Sequence, residues 1–524
     1  MRYWQREERR WELDGRQPDV NARLLSMEFG WSMNPEVAGR GLLLKPTFLA
    51  PRLSQGCSPK ADDEKYIVVP EMGGGAFHLH KIHRKYGDMC TIFLGRTPVV
   101  ILNGYQVVKE AFVQSAVEFA GRPVMPILEW FLHGRVILTA PYGPSWKQQR
   151  RFTLMTLRNF GLGKKSLEAR ISEESTFLIR AFQETKGQPF DPQFKVTNAV
   201  SNIICSLVFG NRFEYSDAKF QYLLHLVSNN VRLAGGLAAQ MVNMCPFFRP
   251  FPGPHQKILD NACEIFQFID KTIQEHRQTL DAENPKDYID AYLLEMDKQN
   301  SNPDSTFSSE NLQACIADLF VAGTDTTSTT LRWGFLYMLT YPDIQVRCQQ
   351  EIEQVVGWDR LPAWDDRLQM PYVEATINEI LRFGNIIPAG VFREATKDTT
   401  LRGYHLTKGT SVISNMTSLF FDPLVWKDPN HFNPQNFLNE QRQFEKPESM
   451  IPFSAGQRVC QGEQLARMEL FIFFTSLLQN LDIFLDDKEH CPDFSYTSGL
   501  VCAPHPYKLS CRTRPQSFMQ NAEK

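Results

Sequence analysis

The stretch PFSAGQRVCQG, Pro452–Gly462, places Cys460 between a glycine-containing loop and Glu463–Leu481, where apolar residues recur at helical spacing. A cysteine at the amino end of a helix lies near free backbone N–H groups and the positive pole of the helix dipole, and both favour the thiolate over the thiol. A thiolate is the ligand with which haem iron cleaves dioxygen. The stretch therefore predicts a haem-thiolate site with Cys460 as the axial ligand of the iron.

The residues around Cys460 have side chains that suit such a site. Phe453 is predicted to pack beside the ligand, and Gly456 to permit the sharp turn of the loop. Gly462 lets the following helix begin close to a flat macrocycle, and Arg458 offers a guanidinium to an anionic haem propionate. A single cysteine is more often a small buried apolar residue, but the combined pattern FxxGxRxCxG favours the haem site.

A second informative segment is DLFVAGTDTTSTTLRWGFLYML, Asp318–Leu339, an apolar helical pattern that contains a glycine, a carboxylate and several hydroxyls. Glycine inside a helix costs about 1 kcal/mol relative to alanine, so Gly323 implies close approach of a flat ligand. The Thr326 hydroxyl can donate to the Ala322 carbonyl, loosen the helix and open a groove for dioxygen. Asp325 and Thr326 then begin a proton relay. The alternative is that both side chains simply face solvent.

Length, composition and charge limit the function further. The chain has 524 residues, of which 43% are hydrophobic and 22% charged, so it has enough apolar mass to enclose a large cofactor. A formal net charge of -3 argues against a nucleic-acid partner, which requires a strongly basic surface. The 11 cysteines include no CxxC pair, which favours a reducing compartment without a disulfide scaffold or zinc site. His78, His80 and His83 lack partner ligands at usable spacing and are interpreted as a polar surface.

The first 66 residues differ in character from the rest of the chain. Met1–Gly15 carries charges of both signs, and GLLLKPTFLAP is interrupted by Lys45 and Pro46, so neither a membrane-spanning segment nor a signal peptide is predicted. Acidic residues in the first stretch also argue against a mitochondrial transit peptide. Residues 1–66 are therefore expected to be irregular and without a transmembrane anchor, and residues 67–524 to form one haem domain.

The remaining chain has a predominantly helical pattern. Cys90–Gly95 and Val99–Gly104 are short β-rich runs that predict a hairpin, and Thr399–Asn415 is a second β-rich patch with glycine turn signals. Helical periodicity recurs through several later segments, the longest being Asn311–Leu339. The predicted fold class is mainly α with a minor β region.

The patterns FxxGxRxCxG, AGTDTT, ExxR and WxxxR follow the order typical of the cytochrome P450 family. NGYQVVKEAFV and PFSAGQRVCQGEQLARMELFIFF resemble its microsomal family 2 members, and the resemblance spans residues 67–506. It implies the cytochrome P450 fold with haem b, and electrons from NADPH through a diflavin NADPH–cytochrome P450 reductase, with cytochrome b5 as a further partner. It also implies insertion of one atom of O2 into a fatty acid, steroid or xenobiotic, at the cytoplasmic face of the endoplasmic reticulum membrane.

The resemblance assigns several further residues. Glu379 and Arg382 in ATINEILRF lie three apart on one helical face and match the buried ion pair that braces the haem-side core of the family. The family often adds an arginine partner where this chain has Asn436, so a pair plus an amide is expected. Arg393 stands where relatives commonly carry a histidine that donates to a propionate.

Trp146 and Arg150 in SWKQQRRF share one helical face and resemble the family's propionate-binding helix, since an indole N–H and a guanidinium both suit a carboxylate. A surface helix with a packed tryptophan is the structural alternative. By resemblance, the substrate pocket is lined by mostly apolar residues, namely Phe320, Ala322, Ile387, Val391 and Leu500.

The amino terminus departs from the family. Microsomal relatives begin with a membrane anchor and a proline-rich hinge, and residues 1–66 show neither pattern, so peripheral attachment or an alternative or misassigned first exon is expected. Leu233–Pro254 carries apolar and aromatic residues in a Pro/Gly-rich segment that either contacts a bilayer or covers the substrate channel.

Three other functions remain open at this point. The first is a haem-thiolate isomerase or dehydratase that needs no reductase, which the intact AGTDTT disfavours. The second is a haem-binding gas or redox sensor, or a catalytically impaired isoform. The third is hydrolysis with Cys460 as nucleophile, which lacks an identifiable histidine partner.

Overall fold

The structure is a computed structural model that describes residues 66–68, 83, 85–94, 97–132, 134–135, 137–161, 165–485, 493–497 and 499–515. The predictions for residues 1–65 and for His78 and His80 therefore lie outside the described residues. His83 is described, and its Nε2 lies 3.7 Å from a carboxylate oxygen of Asp88. Among the described helices, none has the length and apolar character needed to span a bilayer.

Helices make up most of the described chain, as the periodicity predicts. They are α1 Tyr105–Lys109, α2 Pro126–Leu132, α3 Pro144–Asn159, α4 Lys165–Gln183, α5 Gln193–Val208, α6 Ala218–Gly235, α7 Leu237–Met244, α8 Pro254–Thr279, α9 Tyr288–Lys298, α10 Ser309–Thr340, α11 Pro342–Val355, α12 Pro371–Gly384, α13 Met416–Phe420 and α14 Glu463–Asn480. Short 3-10 turns occur at Pro246–Phe248, Trp364–Gln369, Pro434–Phe437 and Gly456–Arg458.

The strands are short and form one main sheet with three small pairs. They are β1 Tyr66–Val68, β2 Met89–Leu94, β3 Thr97–Asn103, β4 Arg393–Glu394, β5 Thr399–Leu401, β6 Tyr404–Leu406, β7 Ser411–Asn415, β8 Leu481–Phe484, β9 Tyr496–Thr497, β10 Ala503–Pro504 and β11 Ser510–Thr513. The main sheet has the order β1-β2-β3-β7-β4, and the pairs are β5–β6, β8–β11 and β9–β10.

The two predicted β regions meet in the main sheet. Strands β2 and β3 pair antiparallel, with Thr91 opposite Val100, which confirms the predicted hairpin. Strand β3 then pairs in parallel with β7, with Ile101 opposite Ile413. This second pairing joins segments about three hundred residues apart, so it brings the amino-terminal hairpin beside the β-rich patch that precedes the cysteine loop.

Helices α10 and α14 form the centre of the core. Helix α10 begins where the Ser308 hydroxyl accepts a hydrogen bond from the backbone N–H of Asn311, a helix cap. Helix α14 is buried along almost its whole length from Leu465 to Asn480, because it has apolar residues on every side. The residue before α14 is Gly462, so the buried helix fixes the position of the Cys460 loop.

A π-helical turn, Glu110–Gln114, continues α1. The backbone N–H of Ser115 donates to the Glu110 carbonyl at 2.9 Å, the five-residue spacing of a π helix. Within the turn Phe112 is 1% exposed. The turn brings the Phe112 carbonyl next to Gly456 of the cysteine loop.

Candidate haem site

The Cys460 loop is closed by its own backbone. The N–H of Cys460 donates to the Phe453 carbonyl at 3.0 Å, around the turn that contains Gly456. Gly456 has φ +72°, and a Cβ there would lie 1.6 Å from the Phe112 carbonyl oxygen. Only glycine fits this position, which supports the predicted turn. At Gly462 an added Cβ would lie 3.9 Å from the Cys460 sulfur, an ordinary contact distance.

The Cys460 side chain is accessible. The groups around it shift the pKa of its thiol in opposite directions. Burial of the loop raises the pKa of the Cys460 thiol, while the backbone N–H groups of Gly462 and Glu463 and the Arg150 guanidinium lower it. Arg150 also donates to the Val459 carbonyl. For the protein atoms alone the net direction of the pKa is upward. The backbone N–H groups at the helix amino terminus favour the thiolate as predicted, and an iron ion bound to the sulfur would favour it further.

Four arginines, Arg122, Arg150, Arg393 and Arg458, gather around the cysteine loop. Burial is the main cause that lowers their pKa values, to about 10 for Arg122, about 8 for Arg393 and about 9 for Arg458. Mutual repulsion of the guanidiniums adds to this effect, and the pKa of Arg150 is also lowered by burial. Within the described part of the chain, none of the four forms an ion pair with a carboxylate. The cluster is therefore an unneutralised, largely buried positive charge.

Arg458 and Trp146 are held by backbone carbonyls from the segments on either side of α2. Arg458 donates to the carbonyls of Ala120, Ile137 and Ala140 at 2.8, 3.1 and 2.6 Å. The indole N–H of Trp146 donates to the same Ile137 carbonyl at 2.9 Å, and the Arg458 guanidinium lies 4.1 Å from the Trp146 ring centroid. The predicted donation from the Trp146 N–H to a carboxylate is thus not observed, because a backbone carbonyl takes that hydrogen.

Arg393 retains an unused donor. Its Nη2 donates to the Ser454 hydroxyl and the Ala455 carbonyl, each at 2.8 Å, and its guanidinium lies 3.7 Å from the Phe112 ring centroid. Its Nη1 is buried with no hydrogen-bond partner. A buried orphan donor within a cationic cluster fits a carboxylate that the protein itself does not supply. The accessible Cys460 sulfur, in the loop that Arg393 contacts at Ser454 and Ala455, fits an iron ion, so the residues fit a haem with its propionates.

Arg122 was not singled out by sequence reasoning, although it belongs to this cluster. It is 8% exposed, and it donates to the carbonyls of Leu138, Val391 and Phe392. The available signal was the triplet GRP at residues 121–123. Three residues are too short a pattern to separate a buried guanidinium from a surface one.

Helix α10 supplies the hydroxyl side of the site. The Thr326 hydroxyl donates to the Ala322 carbonyl at 2.8 Å, as predicted from their spacing, and Ala322 is exposed. The helix is nevertheless continuous α through these residues, so the predicted loosening is not observed. At Gly323 an added Cβ would lie 3.2 Å from the Ile204 side chain of α5. Helix packing therefore gives a second reason for this glycine, and the approach of a flat ligand stays a prediction.

Asp325 lies on a different side of α10. The Ser228 hydroxyl of α6 donates to Asp325 Oδ1 at 3.4 Å. Burial raises the pKa of Asp325 to about 6, against the opposing effects of Arg332 and Ser228. The carboxyl therefore changes protonation near neutral pH, as a proton relay requires.

The predicted pocket residues divide into two groups. Ile387 is partly buried, while Val391 and Leu500 remain 38% and 42% exposed, so these apolar side chains are available to a ligand. Phe320 is 1% exposed and its ring centroid lies 5.9 Å from that of Phe209. The prediction that Phe320 lines the pocket is therefore wrong, since the ring packs in the core between helices.

Glu379 and Arg382 form the predicted buried ion pair. Both side chains are 0% exposed, and two hydrogen bonds of 2.7 Å join them. Glu379 also accepts from the backbone N–H of Asn433 at 2.8 Å and from the Asn436 amide at 3.3 Å. The remaining hydrogens of Arg382 go to the carbonyls of Phe420, Pro429 and His431. The pair plus an amide expected from the sequence is thus present.

Comparisons with known proteins agree with this geometry. The family model for Cytochrome P450 matches residues 68–511. Cytochrome P450 2J2 of Homo sapiens is 47% identical over 427 residues, 81% of this chain and 84% of that protein. Cytochrome P450 2D6 of Homo sapiens is 43% identical over 433 residues, 82% and 87% of the two chains. Cytochrome P450 2U1 of Mus musculus is 41% identical over 482 residues, 92% and 89% of the two chains.

The chain belongs to the cytochrome P450 family, and the predicted fold is confirmed. It is an oxidoreductase, a P450 monooxygenase with haem b as cofactor and NADPH as the source of electrons through a reductase. The family uses lipophilic substrates and a redox partner in general, and the family 2 relatives indicate association with the endoplasmic reticulum membrane.

Proposed function

We propose that the protein inserts one oxygen atom from O2 into a fatty acid, steroid or xenobiotic, using electrons from a diflavin NADPH–cytochrome P450 reductase. The observation that carries the proposal is the unneutralised guanidinium cluster beside the accessible Cys460, because an anionic, iron-containing cofactor complements both. The apolar and accessible Ala322, Val391 and Leu500 favour a lipophilic substrate.

Each residue has a defined part in this proposal. When bound, haem supplies the reductive activation of O2 at the iron. Cys460 holds the iron, while Arg393, with its free Nη1, and Arg122 and Arg150 bind the propionates. Arg458, Trp146, Phe453, Gly456 and Gly462 keep the loop and its arginines in place.

The proposed proton relay uses two groups of α10. The Thr326 hydroxyl donates its hydrogen bond to the Ala322 carbonyl. The lone pairs of its oxygen are therefore available to accept a hydrogen bond from a group in the pocket. Asp325 of α10, with a pKa of about 6, exchanges protons on the side of the helix that faces Ser228 of α6. Together they would provide a route for protons from the contact between α6 and α10 toward the pocket.

The proposed redox partners bind at the cysteine side of the molecule. Lys147, Arg151 and Arg158 are exposed on α3, the helix that also carries Arg150 beside the cysteine loop. This cationic face suits an acidic surface on the reductase or on cytochrome b5.

The proposed membrane contact is an exposed apolar patch within Leu233–Pro254. The patch consists of side chains between 40% and 72% exposed, namely Leu237, Met241, Met244, Phe247, Phe248 and Phe251. A patch of this kind marks a membrane or protein interface, and the cytoplasmic face of the endoplasmic reticulum is the proposed location.

The test is substrate-dependent NADPH consumption with purified reductase, combined with the Thr326→Ala variant. We expect Thr326→Ala to keep consuming NADPH while product formed per NADPH falls by about tenfold, because the acceptor of the relay is lost. Thr340→Ala is the matched control, since Thr340 makes the same hydrogen bond to the carbonyl four residues earlier in α10. Unchanged coupling in Thr326→Ala would remove Thr326 from the relay.

The same assay separates the alternative functions. Turnover without reductase would indicate an isomerase or dehydratase. Haem-thiolate protein that consumes no NADPH with any lipophilic substrate would indicate a sensor or an impaired isoform. Absence of the red-shifted band in the reduced, carbon-monoxide-bound spectrum would exclude the haem-thiolate site itself.

A further inference from the structure

Three side chains with metal-binding donor atoms meet where α8 ends and α9 begins. They are His276, in the last turn of α8, and Asp287 and Asp290, at the start of α9. One donor atom from each lies within 4.8 Å of those of the other two. Asp287 and Asp290 are 2% and 3% exposed, and the His276 side chain is 15% exposed. None of the three has a part in the proposed function.

The His276 ring is oriented by its own helix. Its Nδ1 lies 2.8 Å from the Thr272 carbonyl oxygen, which can only accept, so Nδ1 carries a hydrogen. The other nitrogen, Nε2, lies 2.8 Å from Asp287 Oδ2. In a neutral imidazole oriented this way both of these atoms carry lone pairs, so a proton or a metal ion must lie between them. An Nδ1–H that donates to a carbonyl is also what orients metal-binding histidines.

The two carboxylates are held so that each keeps an oxygen for a ligand. Asp287 Oδ1 accepts from the Asp290 N–H at 3.0 Å, and Asp290 Oδ2 accepts from the Lys286 N–H at 3.0 Å. Among the described residues no donor bonds to Asp290 Oδ1. A Cβ on Gly210 would lie 2.7 Å from Asp287 Oδ2, so glycine leaves the space beside that oxygen open. The free oxygens and the His276 nitrogen therefore share one small space.

This group carries more negative than positive charge. Within the described part of the chain, His276 is the only cation that forms an ion pair with either carboxylate. Burial raises the pKa of Asp290, and the Asp287 charge raises it further, against the opposing effect of the Lys286 N–H. Because a buried charge without a full complement of opposite charge is costly, a divalent cation complements the two carboxylates better than a single proton does.

We propose that His276, Asp287 and Asp290 bind a zinc ion that fastens the end of α8 to the start of α9. One imidazole nitrogen and two carboxylate oxygens suit Zn2+, whereas Mg2+ and Ca2+ prefer oxygen ligands alone. A tetrahedral zinc ion with bonds of about 2.0 Å needs donor atoms about 3.3 Å apart, which small rotations of these side chains provide. The exposed part of His276 leaves room for a water molecule as the fourth ligand.

Such a site escapes recognition in the sequence. The lack of CxxC pairs argues only against a zinc ion held by cysteines, and the spacing of His276, Asp287 and Asp290 matches no compact metal motif. The helix boundaries bring the three together, since α8 ends at Thr279 and α9 begins at Tyr288.

The position of the site gives the ion a structural role. The Tyr288 hydroxyl of α9 lies 2.9 Å from the Thr153 hydroxyl, and the Tyr292 hydroxyl donates to Gln149 at 2.9 Å. Thr153 and Gln149 belong to α3, the helix that carries Arg150 of the haem site. An ion that fixes the start of α9 therefore also supports the packing of α9 on α3, and it stabilises the folded state because the unfolded chain does not form the site.

The experiment measures zinc bound to the haem-loaded, full-length protein. The protein is treated with EDTA and then dialysed against a buffer that holds free Zn2+ at about 1 µM, and zinc per haem iron is read by mass spectrometry of the elements. We expect Asp290→Asn and His276→Asn each to bind about one zinc ion fewer than the wild type, because each removes one of three ligands. Only differences between variants are compared, so zinc held elsewhere on the protein cancels.

The matched control is His431→Asn. His431 Nδ1 lies 2.8 Å from Asp428 Oδ1 in an exposed pair, which has the same donor types at the same distance. Among the described residues no further histidine, cysteine or carboxylate joins this pair in a cluster of three. We expect this variant to bind as much zinc as the wild type.

X-ray absorption at the zinc edge identifies the ligands directly, in wild-type protein given less than one equivalent of Zn2+. We expect nitrogen and oxygen neighbours at about 2.0 Å with a single imidazole. Sulfur at about 2.3 Å, or two or more imidazoles, would place the zinc ion elsewhere and overturn the proposal.

Equal zinc content in the wild type and in both variants would also overturn the proposal. If Asp290→Asn fails to load haem, His276→Asn decides. In urea denaturation, Zn2+ should raise the unfolding midpoint of the wild type more than that of His276→Asn, and Mg2+ should not; an equal rise in both proteins would count against the site. The test does not depend on the proposed function, because zinc binding needs neither reductase nor substrate, and NADPH-dependent turnover tests that function separately.

Discussion

Replacing Glu379 by glutamine tests the buried ion pair behind the cysteine loop. Each Glu379 oxygen accepts one hydrogen bond of 2.7 Å from Arg382. Glutamine keeps the shape and one oxygen, but its NH2 group then faces the Nε–H donor of Arg382. The guanidinium charge then remains fully buried with only neutral partners, which are the glutamine oxygen and three backbone carbonyls. Removing one member of a buried pair costs about 3–5 kcal/mol, because the other charge is left uncompensated.

The assay is urea denaturation of haem-loaded protein, followed by the carbon-monoxide-bound thiolate band. The free energy of unfolding of a protein is typically about 5–15 kcal/mol, so the expected loss is a large fraction of it. The urea concentration at the unfolding midpoint should therefore fall strongly. Glu275→Gln is the matched control, because Glu275 pairs with Lys271 at 3.7 Å on the exposed surface of α8. Surface pairs contribute about 0–1 kcal/mol. A loss in Glu379→Gln no larger than in this control would refute the reasoning.

Three further predictions concern the cysteine loop, the arginine cluster and pH. Gly456→Ala should abolish the thiolate-type carbon-monoxide spectrum, because its Cβ would overlap a backbone carbonyl at 1.6 Å; a normal spectrum would contradict this. Arg122→Met should weaken haem retention by about tenfold, measured as haem transfer to apomyoglobin, since one charge-assisted hydrogen bond is lost; an unchanged transfer rate would exclude Arg122 from the site. Burial is the largest single effect on His276 and lowers its pKa, but the hydrogen bond and charge of Asp287, the Thr272 carbonyl and the Asp290 charge together raise the pKa above its usual value. Its contribution to the free energy of unfolding should therefore be complete below about pH 6.5 and vanish as pH rises through the raised pKa, so the stability gap to His276→Asn should shrink; a gap independent of pH would count against it.

Local spacing along the sequence accounts for the predictions that the structure confirms. Helix geometry alone brings the Thr326 hydroxyl under the Ala322 carbonyl and Glu379 beside Arg382, so these contacts depend only on the segments being helical. The turn at Gly456 depends on the positive φ of that one residue, which is also a local property. Such features follow from residues a few positions apart.

Contacts between distant segments account for the predictions that fail. An apolar residue on α10 has the same pattern whether it faces a pocket or a neighbouring helix, so Phe320 was misassigned. The packing of Gly323 against Ile204 on α5, more than a hundred positions away, could not be read from local spacing either. The raised pKa of the Cys460 thiol depends on the depth of its loop in the fold, which local sequence does not encode. Arg122 was missed for the same reason, since its partners at residues 138, 391 and 392 are distant in the chain.

The π-helical turn Glu110–Gln114 constrains the length of a segment that carries none of the predicted site residues. A π turn holds roughly one residue more than an α turn, and here the extra residue brings Phe112 against both Gly456 and Arg393. Deleting one residue would restore α geometry and rotate everything after it by about 100°, which would turn Phe112 away from the cysteine loop. The side chains of this turn can therefore vary during evolution more freely than the number of its residues. A gap in a sequence alignment at this turn would indicate a displaced haem site.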